Sequence, residues 1–478
     1  MQTLQRAAWA MATAVLLNAC VKVNINDDNG GTGGGGSQAD DPNTTRVLQG
    51  SYERNITLTG GTYTLRGYVY FQQGTTLTIP AGTIIKSDIS QKGALIIERG
   101  ARIEALGTAT QPIVFTSGRP AGQRQRGDWG GVILLGNAPT NRPTSPAPLI
   151  EGGVDRRYGG TIPNDNSGTM RYVRIEWAGI AAEPGSEINA LTTGGVGSGT
   201  TLEYIQASYG NDDGFEFFGG NHDCKYLVSY ATSDDDLDFD FGYTGRIQFA
   251  VIQRRPEIGD TDAGNGVEAD NDGSGSSATP FTRPVLSNIT WIGSNGNPAT
   301  HANENFGNRW RRAVQFVVRN SIMLGWPRAG FSMESVATYN AYNSGTSVWR
   351  NNIIHALAAP YNVDSVIARA ITGAKYGPNP LSAADRAAMI NEGRDAVRVK
   401  AEGEGNTVAA SANDLQLEDP FKLDGTPNYL PKAGSPALTG ANFTGLDAFF
   451  TVTPWRGAFG PTNWMTGWVS FTPQTNTY

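Results

Sequence analysis

Asn211-Asp-Asp-Gly-Phe-Glu-Phe-Phe218 is followed by Asp234-Asp-Asp-Leu-Asp-Phe-Asp-Phe241, about one 23-residue step later. Two segments with the same acid-then-alternating pattern at that step read as successive coils of a β-solenoid. Strict alternation predicts Phe215 and Phe217, then Leu237, Phe239 and Phe241, on one face. It puts Glu216, then Asp238 and Asp240, on the other. Coils stack about 4.8 Å apart, so acid lies over acid, and directly opposed like charges destabilise a sheet. A bound cation, a shared proton, or a strip of acids wetted by solvent would each account for such a ladder.

Outward from this pair the coil spacing continues. From Leu202 to Cys224 is 22 residues, and from Cys224 to Arg246 another 22. Short runs such as Met170-Arg-Tyr-Val-Arg-Ile-Glu-Trp177 and Thr201-Leu-Glu-Tyr-Ile-Gln206 alternate between glycine-rich turns. With 61 glycines and 25 prolines among 478 residues, composition favours one elongated repeat domain, while the recurrent Ile, Val, Leu and aromatic runs argue against disorder. A third rung is predicted at Asn265-Gly-Val-Glu-Ala-Asp-Asn-Asp272, with Glu268 and Asp270 outward. The fold class that follows is all-β, a parallel β-helix.

Residues 1–19 read as a lipoprotein signal peptide: Arg6, an apolar Ala7 to Leu17, then Leu17-Asn-Ala-Cys20. That last run resembles a bacterial lipobox, which implies cleavage before Cys20 and lipidation of its sulfur. Val21 and Lys22 follow, and resemblance to Gram-negative lipoproteins then implies outer-membrane sorting, on the periplasmic or the cell-surface side. Residues 20–46 contain a Gly-rich tether, 47–355 the β-helix, 356–405 a helical insertion with Ser382 as N-cap, and 406–478 a terminal coil with an aromatic cap. Once Cys20 is acylated Cys224 has no partner for a disulfide, and its strand-like surroundings predict a buried structural thiol.

The run from Gly74 to Thr116, then Gly127-Asp-Trp-Gly-Gly131, Asp212 to Gly220, Ala329 to Ser332 and Arg456 to Gly460 with Trp464 and Trp468, carry a family likeness. They resemble Gram-negative surface lipoproteins with a right-handed, pectin-lyase-like parallel β-helix. The resemblance implies that architecture from about residue 50 onward and no settled activity.

A net charge of −7 argues against nucleic acid as partner, which would call for a basic stripe, and makes cations easier to hold. Hard cations take carboxylate oxygens, so Ca²⁺ is the metal expected at Asp212, Glu216, Asp238, Asp240, Glu268 and Asp270. Asp213, Asp235 and Asp236 are the candidates for acid–base chemistry. With Asn211 and Asp212 they resemble the aspartate layout of polygalacturonase-like glycosidases, although Arg255-Pro-Glu-Ile-Gly259 stands where those enzymes carry Gly-His-Gly. Arg254-Arg255-Pro256 matches only part of the arginine-proline pattern of pectate lyases. Arg309, Trp310 and Arg311 form a basic-aromatic cluster suited to gripping an anionic sugar. Of the three histidines only His222, beside the first acidic rung, merits a functional test. The function expected is an outer-membrane-anchored β-helix that binds a polysaccharide or another envelope polymer. A cation-dependent lyase, a glycosidase and an adhesive surface protein are the alternatives, and catalysis is left open.

Overall fold

The structure, a computed structural model, describes residues 39–183 and 186–478; the lipobox and most of the tether lie outside them. Parallel strands wind as a right-handed β-helix whose rungs hydrogen-bond one coil to the next. One face carries the acidic ladder. In chain order its strands are β1 (Val132–Leu135), β2 (Leu191–Gly194), β3 (Phe215–Phe218), β4 (Leu237–Asp240), β5 (Glu268–Ala269), β6 (Arg309–Trp310), β7 (Ala329–Met333) and β8 (Ala359–Val363). Each pairs in parallel with the next. The register is Phe215 over Leu237 and Phe217 over Phe239, a 22-residue coil.

Alternation decides the core. Leu191, Phe215, Phe217, Leu237, Phe239, Ala269, Trp310 and Phe331 all point inward and are fully buried. Phe241 departs from the expected inward face. The strand ends at Asp240, Phe241 adopts a left-handed φ of 50°, and its ring leaves the core to stack on Phe218 at 5.8 Å. Period-two alternation holds only while the strand does.

A second corner is built by left-handed residues at one position per coil, Tyr172, Tyr204, Tyr226 and Phe249, then Asn288 and Asn320. The aromatic members stack at 4.4, 4.3 and 5.2 Å. Asparagine tolerates this backbone because its short amide bonds locally. For bulky aromatics the same conformation is unusual, and packing must hold it.

The helical insertion forms, and its helices begin at Ser365. β8 continues the solenoid past residue 355, and Thr407–Val408 pairs with Ile353–Ala356. Between them lie α1 (Ser365–Thr372), capped by Asp364, and α2 (Ala383–Gly403), capped by Ser382. Buried Met389, Gly393, Val397 and Ala401 recur every four residues along α2, and Met389, Val397 and Ala401 join Ile367 and Ala368 in the main core. These helices pack on the core beside β8. The tail instead runs back along the outside: Trp464 meets Tyr226, Trp468 packs edge-on to Tyr172 and Tyr204, and the Tyr478 hydroxyl donates to buried Glu176. Cys224 is buried, and burial pushes its thiol well above the ordinary range.

Candidate functional site: a desolvated carboxylate strip

The strip begins with a corner ladder of side-chain acceptors. Asn189 Oδ1 accepts from the backbone N–H of Asp213 at 3.2 Å. Asp213 Oδ1 accepts from Asp235 N at 2.7 Å, Asp235 Oδ1 from Asn265 N at 2.5 Å, and Asn265 Oδ1 from Phe306 N at 3.3 Å. Each rung satisfies a buried backbone donor of the next coil. An asparagine would do this at every rung, and at the two ends it does. The end residues use their amide nitrogens on acids as well: Asn189 donates to Glu216 and to Glu151 (3.3 Å), Asn265 to Glu268 (3.2 Å). In the middle, Asp213 and Asp235 turn a bare oxygen toward other carboxylates.

Three residues past each rung an outward side chain completes the strip: Thr192, Glu216, Asp238 and Glu268, stacked in one rank. Asp213, Glu216 and Asp235 retain only 6%, 9% and 4% of their surface. Ligand oxygens of Asp212, Asp213 and Asp234 lie within 4.8 Å of one another, as do those of Asp213, Glu216 and Asp238, and those of Asp235, Asp238 and Glu268. The three groups share Asp213 and Asp238 and so form one connected strip.

Burial pushes the carboxyls of Asp212, Asp213, Glu216, Asp235 and Asp238 well above the ordinary carboxylate range, and their mutual repulsion adds to it. For the same reasons Asp234 rises to about 7. Asp240 rises to about 8 through burial and repulsion from Asp270 and Asp272, although it also accepts from Phe241 N. The rest of the rank is neutralised within the chain. Arg309 bonds Glu268 at 2.9 Å and Glu334 at 2.7 Å, Arg311 holds Asp270 at 2.8 Å and also pairs with Glu268, and Arg312 caps Asp270.

Of the expected metal residues, the structure therefore brings together Asp212, Glu216, Asp238 and Glu268, with Asp213 and Asp235 beside them. Asp240 and Asp270 stand outside the three groups, and Asp270 is held by arginines. Asp236 is corrected: it is fully buried, accepts from Ser229 and Thr232 and pairs with Arg254 at 3.3 Å, so a substrate does not reach it. Trp310 is likewise corrected. It is fully buried against Phe316 at 4.7 Å, because alternation sends Arg309 and Arg311 outward and the residue between them inward. The two arginines that were to grip a ligand are engaged by the chain's own acids. His222 packs between Phe217 and Tyr243, and burial lowers it to about 3, a neutral core residue.

Sequence reasoning missed Glu151, which sits on a distant loop that no spacing rule connects to Glu216. It also missed Asn189 and Asn265, although a signal exists. Asn189-Ala-Leu-Thr192, Asp213-Gly-Phe-Glu216, Asp235-Asp-Leu-Asp238 and Asn265-Gly-Val-Glu268 repeat one four-residue pattern of corner acceptor, spacer, core residue and outward residue.

A family model described as a pectate-lyase-like beta helix domain matches residues 50–396. The chain belongs to this pectate-lyase-like β-helix family. No curated protein and no solved structure matched. Within the pectate-lyase-like β-helix, the matched span covers all four corner rungs, β1 to β8 and most of α2.

Proposed function

We propose that the protein is a Ca²⁺-dependent binding scaffold for a polysaccharide or another envelope polymer, held at the outer membrane through a lipid on Cys20. The observation that carries the cation is the use of aspartate at Asp213 and Asp235, where asparagine serves the same backbone bond at Asn189 and Asn265. A bare, desolvated oxygen among carboxylates is costly without a counter-ion. An all-oxygen donor set suits a hard cation with flexible coordination, and Ca²⁺ takes six to eight such ligands. A cation held there would leave coordination positions for hydroxyl or carboxylate oxygens of a sugar chain lying along the face. A cation-dependent lyase uses the same arrangement with a base added, and Arg309 and Arg311 are the nearest guanidiniums on this rank, both committed to salt bridges.

Calcium titration by calorimetry tests this reading. Wild type is expected to bind Ca²⁺, and Asp238→Asn, which lies in two of the three groups, to weaken binding at least about tenfold. Polymer retention should vanish in EDTA; retention equal with and without Ca²⁺ would exclude a bridging ion. Release of unsaturated product with time would decide for the lyase over the scaffold. Among the described residues no helix is long and apolar enough to cross a membrane. Labelled palmitate is expected in wild type and not in Cys20→Ala, and label persisting in that variant would remove the anchor.

A further inference from the structure

The polar rank of the acidic strip does not stop at Arg309. In register it continues from Glu268 through Arg309 and Ser332 to Asn362, three coil steps or about 14 Å along the axis. Asn362 donates to Ser332 Oγ at 3.0 Å and accepts at its Oδ1 from Arg394 Nε (3.1 Å) and Nη2 (2.7 Å). Arg394 reaches over from α2. Among the described residues no carboxylate lies within ion-pair distance of it, whereas Arg309 and Arg311 are both neutralised. The asparagine fixes its guanidinium by one edge and leaves Nη1 without a partner among the described residues.

Arg394 lines a cleft of about 410 Å³ between α2 and β8, with Asn391, Arg398, Asp395 and the Pro360–Tyr361 backbone segment around it. Two guanidiniums face one carboxylate there, and that carboxylate, Asp395, spends itself on Arg398 together with Glu402. Arg398 is thus satisfied by two acids, and Arg394 is left as the guanidinium of the cleft with no carboxylate of its own. The acids of Asp213 and Asp238 lie several coils away, beyond a Debye length of about 8 Å at physiological salt.

The geometry points to the cleft between α2 and β8 as an anion subsite, in which Arg394, held by Asn362, takes a carboxylate or sulfate group of a sugar at the far end of the polar face. The ligand class rests on the polymer-binding reading above, but the site does not need the cation. A planar guanidinium presents paired N–H donors that match such oxyanions, and an amide at Asn391 adds a neutral donor.

The test uses the full chain in EDTA, with oligogalacturonate, sulfated dextran and neutral dextran as probes in a binding titration. Wild type is expected to bind a charged probe with salt-sensitive affinity and not neutral dextran; the stronger of the two charged probes identifies the oxyanion. Arg394→Gln should weaken binding about tenfold, and Arg394→Lys, which keeps the charge and loses the fork, about threefold. Arg386→Gln, on α2 outside this cleft, should change nothing. Thermal unfolding of each variant separates misfolding from lost affinity, and the lysine variant keeps the comparison valid if the glutamine variant is unstable. Binding that requires Ca²⁺ and is unchanged in Arg394→Gln would overturn the subsite and leave the cation reading standing. Absence of binding with and without Ca²⁺ would overturn both.

Discussion

Metal-free protein is expected to be most stable near pH 4 and to lose stability progressively as the pH rises from there through 7 and 8. Asp234 and Asp240 hold their protons to about 7 and about 8 in the folded chain, against 3.8 when unfolded. Such groups bind protons more tightly folded than unfolded, so their penalty is absent below the unfolded value and grows until the folded value is passed. Asp88 works in the opposite direction. Donation from Ser90 and Arg66 lowers it to about 2, so its stabilisation is present above pH 4 and lost on acidification. The two effects meet near the unfolded value, so the optimum lies close to pH 4. Saturating Ca²⁺ should reverse the alkaline loss, because a divalent ion replaces the protons; each ion held at a hundredfold its Kd contributes about 2.7 kcal/mol. Melting curves from pH 3 to 8.5, with EDTA and with Ca²⁺, measure this directly. Asp238→Asn should raise the melting temperature in EDTA at pH 8 while reducing the gain from Ca²⁺, an inversion that a wetted strip would not produce. A flat pH profile with no response to EDTA would identify the strip as solvated acid and nothing more.

Arg254→Met is expected to cost about 3–5 kcal/mol. Arg254 and Asp236 are 1% and 0% exposed, and the guanidinium also serves Thr232 Oγ1 and the carbonyls of Ser233 and Asp234. Removing it strands a buried carboxylate that Ser229 and Thr232 alone must satisfy. Replacing Asp236 with asparagine in the same chain should recover part of the loss, since the uncompensated charge is then gone. Urea unfolding of the single and double variants gives the coupling; additive losses would mean that the pair does not interact across the coil.

The two expectations turn on aspartates only two positions apart in one acidic run. Asp236 and Asp238 both stand in an acidic run, yet one is tied into an ion pair and the other joins the strip. Alternation alone separates residues that face in from residues that face out, and it identified the outward rank of Glu216, Asp238 and Glu268. It does not operate at Asp234 to Asp236, which precede the strand and take whatever direction the corner imposes. Trp310 shows the converse: the alternation rule was available and assigns it inward between two outward arginines. Glu151 had no rule at all, because a contact across a loop is set by how the loop closes and not by a period.

What the sequence by itself determined is the repeating part: a 22-residue coil, an inner stack of Phe215, Phe217, Leu237 and Phe239, and an outer row of acids. These follow from local periodicity, since every coil obeys the same constraint as its neighbour. What only the tertiary structure decided is charge balance. Whether an acid is paired with Arg311, bonded by Asn189, or left facing other carboxylates depends on which coil or loop lies within about 4 Å of it. Electrostatic free energy depends on those distances and on exclusion of water, and neither is carried by the order of residues along the chain.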